Sequence, residues 1–265
     1  MITLIQQGIL LIGTLSGAIT DIKTGYIYDW ITYPMIIIGL ILSIMQGQMT
    51  NLLIAGIIFV ILLIGYKFGK IGGGDVKLFT AISLLNPFNN IEFIITLIFT
   101  ASLLSMTFYS TNYIIKYLKK GIELKKEKEG IKKAIFFSLI LVGYLAILLN
   151  FGMIKIEIAI ILGIPFLLGL IFIALQNGIK ENFFEKKIKL KDAEEDEILS
   201  KNNPQKILDI VNGKELIEEK EIALLKKHNI KEIIVLRNLP KFGPFIFLGT
   251  IIALNYPTLI ITLLF

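Results

Sequence analysis

Apolar residues fall in long uninterrupted runs along this chain, separated by short polar stretches. The runs 2–20, 30–44, 52–66, 93–113, 134–149, 156–175 and 242–265 approach the ~20 residues that a helix needs to cross a bilayer. A further run, 76–85, is shorter and lies between a glycine-rich stretch and Asn86 and Pro87. At ~1.5 Å per residue, a helix of that length covers about half of the hydrocarbon core. Counted as a crossing packed inside the bundle, it brings the total to about eight. The expected fold is therefore an all-α polytopic membrane protein. The first run has no basic start and no small-residue cleavage site of the kind that marks a removable leader, so it reads as a retained helix.

Composition agrees. Hydrophobic residues make up 55% of the 265 and charged residues 18%, against about a quarter charged in ordinary soluble domains. Cysteine is absent and His228 is the single histidine. That excludes disulfides, thiolate metal sites and cysteine nucleophiles, and argues against a histidine metal centre or a Ser/His relay. No cofactor and no metal are expected.

The basic residues are unevenly placed, and that gives an orientation. With the N-terminus outside, the inside loops are 21–29, 67–77, 116–133 and 177–241, and every Lys and Arg except Lys155 falls in them. If 76–85 did not cross, the basic loop 116–133 would move outside. The bias therefore supports the crossing. It also accounts for the net charge of +6 through topology and anionic lipid headgroups, without nucleic acid.

The largest polar stretch lies within 177–241. The acidic run 192–197 reads as a solvated loop, with attraction of a basic ligand as the weaker reading. Residues 218–228 place apolar Ile222, Leu224 and Leu225 among charges, acids first and bases last, as a helix prefers; 230–236 is strand-like. A small α/β cytosolic subdomain is expected here, ahead of a stiff entry through Pro240 and Pro244 into the last span. The organisation expected is a membrane bundle over 1–176 with a core over 1–86, a soluble unit over 177–241 and a closing helix over 242–265.

Acidic residues beside membrane spans are costly and rare. Asp21 ends the first span, and Asp75 follows Gly72, Gly73 and Gly74 ahead of the fourth. Two crossings separate the aspartates, and an even number returns the chain to the same face. Two carboxyls meeting in a poorly hydrated site share a proton, the arrangement needed for aspartic proteolysis. Glycines without Cβ atoms allow positive φ and close approach of another backbone, such as an extended substrate pairing with the loop. Lys77 would favour a charged Asp75. From the glycines and Asp75 alone, a helix cap and a flexible turn account for the residues equally well. Asp29, just before Trp30, reads as the N-cap of the second span.

The combination of Asp21 with Gly72, Gly73, Gly74, Asp75, Val76 and Lys77 resembles the type IV prepilin and archaeal preflagellin (prearchaellin) peptidases, within the GxGD class of membrane aspartyl proteases. The core resemblance covers roughly 2–86, and the tail resembles the archaeal branch. It implies an endopeptidase that removes short basic leaders from pilin-like or archaellin precursors at the cytosolic face. In that comparison Asp21 and Asp75 are the catalytic pair, and Gly72, Gly73, Gly74 and Lys77 border the substrate. The loop 21–29 is short and lacks the cysteines of bacterial relatives, so N-methylation of the product is not expected. Two other readings compete. An intramembrane-cleaving GxGD protease is suggested by Tyr28 and Asp29, but these fall in a loop rather than mid-span. A transporter or assembly scaffold would place its acids near the midplane or need none.

Overall fold

In the computed structural model the described residues are 2–152, 154–194 and 197–264. Among the described residues, five helices are long and apolar enough to cross a membrane: α1 (Ile2–Thr24), α3 (Met49–Lys67), α5 (Ile91–Lys120), α6 (Lys128–Asn150) and α7 (Ile156–Ala174). Shorter apolar helices lie between them: α2 (Asp29–Met45) and α4 (Gly73–Leu84). The chain is a polytopic, mainly helical membrane protein.

The short run at 76–85 is indeed a helix, and it is buried inside the protein. At ~1.5 Å per residue the 12 residues of α4 extend only about 18 Å. It is packed between α2 and α3, with Val76, Leu78, Phe79, Ala81, Ile82 and Leu84 all buried. Ser43 donates to the Leu84 carbonyl and Asn51 to the Asn86 carbonyl, which satisfies its far end inside protein, as non-helical backbone at membrane depth requires. By contrast, α6 buries only Gly130; its otherwise apolar surface faces outward, suited to lipid.

After α7 the chain turns through α8 (Gln176–Ile179) and a wide helical turn into a four-stranded antiparallel sheet. Its strands are β1 (Glu185–Lys189), β2 (Glu197–Leu199), β3 (Leu216–Ile217) and β4 (Glu232–Leu236), in the order β1-β4-β2-β3. Helices α9 (Gln205–Ile210) and α10 (Glu219–Lys227) complete it. Its core, separate from that of the bundle, gathers Leu190, Leu199, Ile217, Leu225, Ile233 and Val235. The expected helix and strand at 218–236 correspond to α10 and β4. Glu218 and Glu221 close α10 with a capping box, satisfying two end amides reciprocally.

The expected closing helix is broken. It divides into α11 (Gly243–Asn255) and α12 (Leu259–Leu264) around Tyr256, Pro257 and Thr258, because proline cannot donate within a helix. The freed Pro257 carbonyl accepts from Thr96 of α5. Helix α11 lies between α1 and α5.

Candidate active site

Asp21 lies in the last turn of α1 and is 6% exposed. Its Oδ2 accepts the Gly243 backbone N–H at 2.8 Å, and the Phe242 amide also faces this carboxyl. Lys241 stands within Coulombic range of Asp21, and its Nζ donates to the Ile22 carbonyl at the end of α1. Gly243 permits this approach: a Cβ there would lie 2.9 Å from Asp21 Oδ2 and 3.3 Å from Ala18 Cα.

Asp75 is the third residue of α4 and is partly exposed. Its carboxyl folds back onto the Gly72 amide, as an acid at that position does in a capping box. The helices bring the two aspartates to one end of the bundle. One turn before Asp21, a Cβ at Gly17 would touch Leu78, one turn after Asp75, at 3.6 Å, and Ile27 at 3.5 Å. The carboxyls of Asp21 and Asp75 are within Coulombic reach of each other. The apolar side chains of Ile27, Leu78 and Phe79 are buried beside them in one cluster.

The three glycines differ in what a side chain would meet, and none of them has a positive φ. Gly72 is extended, at φ −70° and ψ 142°, and a Cβ there would approach Asp75 Oδ2 to 3.1 Å. Gly73 and Gly74 form the first turn of α4 rather than a loop, so the helix begins earlier than expected. A Cβ on Gly74 would meet the Ile27 carbonyl oxygen at 2.9 Å; for one on Gly73 the nearest atom would be on the Tyr66 ring, at 3.4 Å.

Residues 8–110 match the family model described as the type IV leader peptidase family. The match covers less than half of the chain, and this part of it is similar to that family. No curated protein and no solved structure matches the chain. The matched region contains Asp21 and Asp75 and stops well before Gly243.

Within the matched region, Lys77 does not turn toward Asp75. Its Nζ pairs with Asp29 at 2.5 Å and lies over the Tyr33 ring at 5.0 Å. Asp29 is the first residue of α2 and makes this pair; Tyr28 occupies the N-cap position, without a side-chain cap. The acids expected as a solvated loop are partly engaged. Glu197 is held by Arg237 at 2.5 Å, and the Asp192 carbonyl accepts from the same guanidinium; Glu195 and Asp196 lie outside the described residues. The sequence reading missed Gly243, Lys241 and the loop contact of Lys70, which pairs with Glu215 at 2.6 Å. The one available signal was the Phe-Gly-Pro entry to α11, which offers a glycine amide beside a proline that has none.

Proposed function

We propose that this protein is an aspartic endopeptidase that removes the short basic leader of type IV pilin-like or archaellin precursors at the cytosolic membrane face, with Asp21 and Asp75 as its catalytic pair. The observation that carries this reading is the convergence of the two carboxyls from α1 and α4 at one end of the bundle. The family match supports the reaction class.

In the proposed reaction one aspartate, ionised, takes a proton from water while the other, protonated, hydrogen-bonds the scissile carbonyl. The water oxygen attacks the carbonyl carbon to give a tetrahedral diol. The C–N bond then breaks as the leaving nitrogen is protonated. A carboxyl pair needs no metal or cofactor for these steps. Asp75 lies in the first turn of α4. Gly72 presents extended backbone beside it for pairing with a peptide strand, and Gly73, Gly74 and Lys77 border the same path. The Lys and Arg distribution favours placing this end in the cytosol and the N-terminus outside. Residues 1–176 then form the bundle, with its core at 1–86, and 177–241 the cytosolic unit. Within 242–265, α11 closes the bundle against Asp21, and lipid surrounds it.

The test is cleavage of purified pilin and archaellin precursors by wild type, Asp21→Asn and Asp75→Asn. Each substitution is expected to slow leader removal by about 10²–10⁴-fold, the range of positioned acid–base catalysis. Full-rate cleavage by either variant sinks the two-aspartate assignment. Cuts inside the precursor's apolar helix would favour the intramembrane-protease reading instead.

A further inference from the structure

The Asp21 carboxyl is held from outside the matched region, and the backbone that holds it is itself held by a phenol, besides the contact of Lys241 Nζ with the Ile22 carbonyl. Tyr109 of α5 hydrogen-bonds the backbone of Lys241 in both directions. Its hydroxyl donates to the Lys241 carbonyl at 2.8 Å and accepts the Lys241 N–H at 2.9 Å. This fixes the peptide units that lead directly into Phe242 and Gly243, whose amides face Asp21. The local chain is poorly suited to holding itself: Pro240 and Pro244 flank it and contribute no N–H. The Tyr109 ring is packed on its own account, edge-on to Phe108 and Phe245 and stacked on Tyr113. The hydroxyl is therefore separable from the packing.

We propose that Tyr109 is a positioning residue for the peptidase reaction, setting the rotamer of the Asp21 carboxyl through the backbone of Lys241, Phe242 and Gly243. The inference rests on Asp21 being catalytic, as proposed above. A carboxyl at a helix end chooses among a few staggered rotamers, and a fixed donor selects one of them. Here the Gly243 N–H is that donor, and Tyr109 fixes the donor. The helix α11 thereby becomes part of the active site without contributing a reacting group.

The test is Tyr109→Phe, which deletes one oxygen and both hydrogen bonds while keeping the ring. Purified full-length enzyme in lipid vesicles is assayed on a leader-bearing pilin precursor for kcat and KM, alongside its melting temperature. The expected result is a kcat about tenfold lower, inside the ~100-fold that a misplacement of ~1 Å costs, with KM and melting temperature unchanged. Gly243→Ala is expected to lower kcat further, because its Cβ meets Asp21 Oδ2 at 2.9 Å. Wild-type kcat in Tyr109→Phe overturns the proposal, as does a loss of activity that merely follows a fall in melting temperature. Asp21→Asn and Asp75→Asn are run beside it. Activity retained there refutes the two-aspartate reading; activity lost there but intact in Tyr109→Phe refutes only the positioning role.

Discussion

Replacing Gly72, Gly73 and Gly74 one at a time by alanine discriminates between packing and flexibility as the reason for the glycines. At Gly74 the new Cβ lies 2.9 Å from both the Ile27 Cβ and the Ile27 carbonyl oxygen. Ile27 is buried between α1 and α2, and its backbone cannot swing aside as a side chain does. Relief to an ordinary contact requires about 0.5 Å of separation between the Ile27 segment and α4. Overpacking of this kind costs about 1–3 kcal/mol. Because the strain lies between the segment that follows Asp21 and the turn that carries Asp75, it also moves the two carboxyls apart. With ~1 Å of misplacement costing ~100-fold in rate, Gly74→Ala is expected to lower kcat about tenfold and to lower the melting temperature.

At Gly72 the contact is the Asp75 carboxylate itself, at 3.1 Å, and the backbone there suits any residue. Gly72→Ala is expected to melt as wild type and to lose kcat. At Gly73 the Tyr66 ring stands at 3.4 Å, an ordinary contact, and alanine is a better helix former than glycine by up to ~1 kcal/mol. Gly73→Ala is expected to melt at or above the wild-type temperature and to cleave within about twofold of it, as neutral substitutions do. The assays are thermal unfolding in detergent and cleavage of a leader-bearing precursor. Damage from Gly73→Ala equal to that from Gly74→Ala would refute the packing argument. A rise in KM across all three variants would show instead that the glycines serve as a ledge for substrate backbone.

Two further predictions concern parts of the fold away from the aspartates. Glu127 is fully buried and accepts from the Gly178 N–H at 2.8 Å, the Tyr117 hydroxyl at 3.1 Å and the Asn177 N–H at 3.2 Å; Glu127→Ala orphans these donors and is expected to cost roughly 3 kcal/mol, measured by thermal unfolding, with Glu127→Gln milder because it keeps an acceptor. At Glu215, burial opposes the charge, but Lys201 and Lys70 outweigh it and hold the carboxyl below its ordinary value of 4.5. A depressed folded-state value means that its stabilisation is present above about pH 4.5 and is lost as pH falls through the folded value. Glu215→Gln should therefore lose less melting temperature than wild type between pH 6 and the acid side of this transition, and parallel losses would refute the assignment.

The apolar runs were legible because a bilayer demands them: a span has no water with which to satisfy its backbone. Crossing parity then put Asp21 and Asp75 at the same end without any knowledge of packing. Less was legible where contacts decide. Strands β2 and β3 have three and two residues, too few to show alternation, and β1 is Lys-rich with only Ile188 strongly apolar. The sheet forms because β4 can pair on both of its edges. Lys77 looked like a partner for Asp75 two residues away. On a helix, however, residues two apart do not face each other, and Lys77 reaches Asp29 on α2 instead. The glycines looked like a joint, because the Ile27 backbone that requires Gly74 is remote in sequence and has no signature there.

The same limit explains the most consequential omission. Rules for helix N-termini look for a capping side chain at or within about three residues of the start. Helix α11 has Phe242 at its N-cap, with no side-chain cap of its own, and a proline in its first turn. Read locally, it is an uncapped helix, which a membrane protein can hardly leave unsatisfied at a buried end. The missing acceptor is Asp21, supplied by α1 from 222 positions away. Asp75 does the equivalent within its own helix by folding back on Gly72. Each aspartate thus meets the positive end of a helix, where an anion is favoured, but only one of the two arrangements leaves a local pattern. An uncapped, glycine-led helix entry in a membrane chain is therefore itself a signal: it predicts an acid elsewhere in the sequence, and an acid at the exit of another span is the place to look.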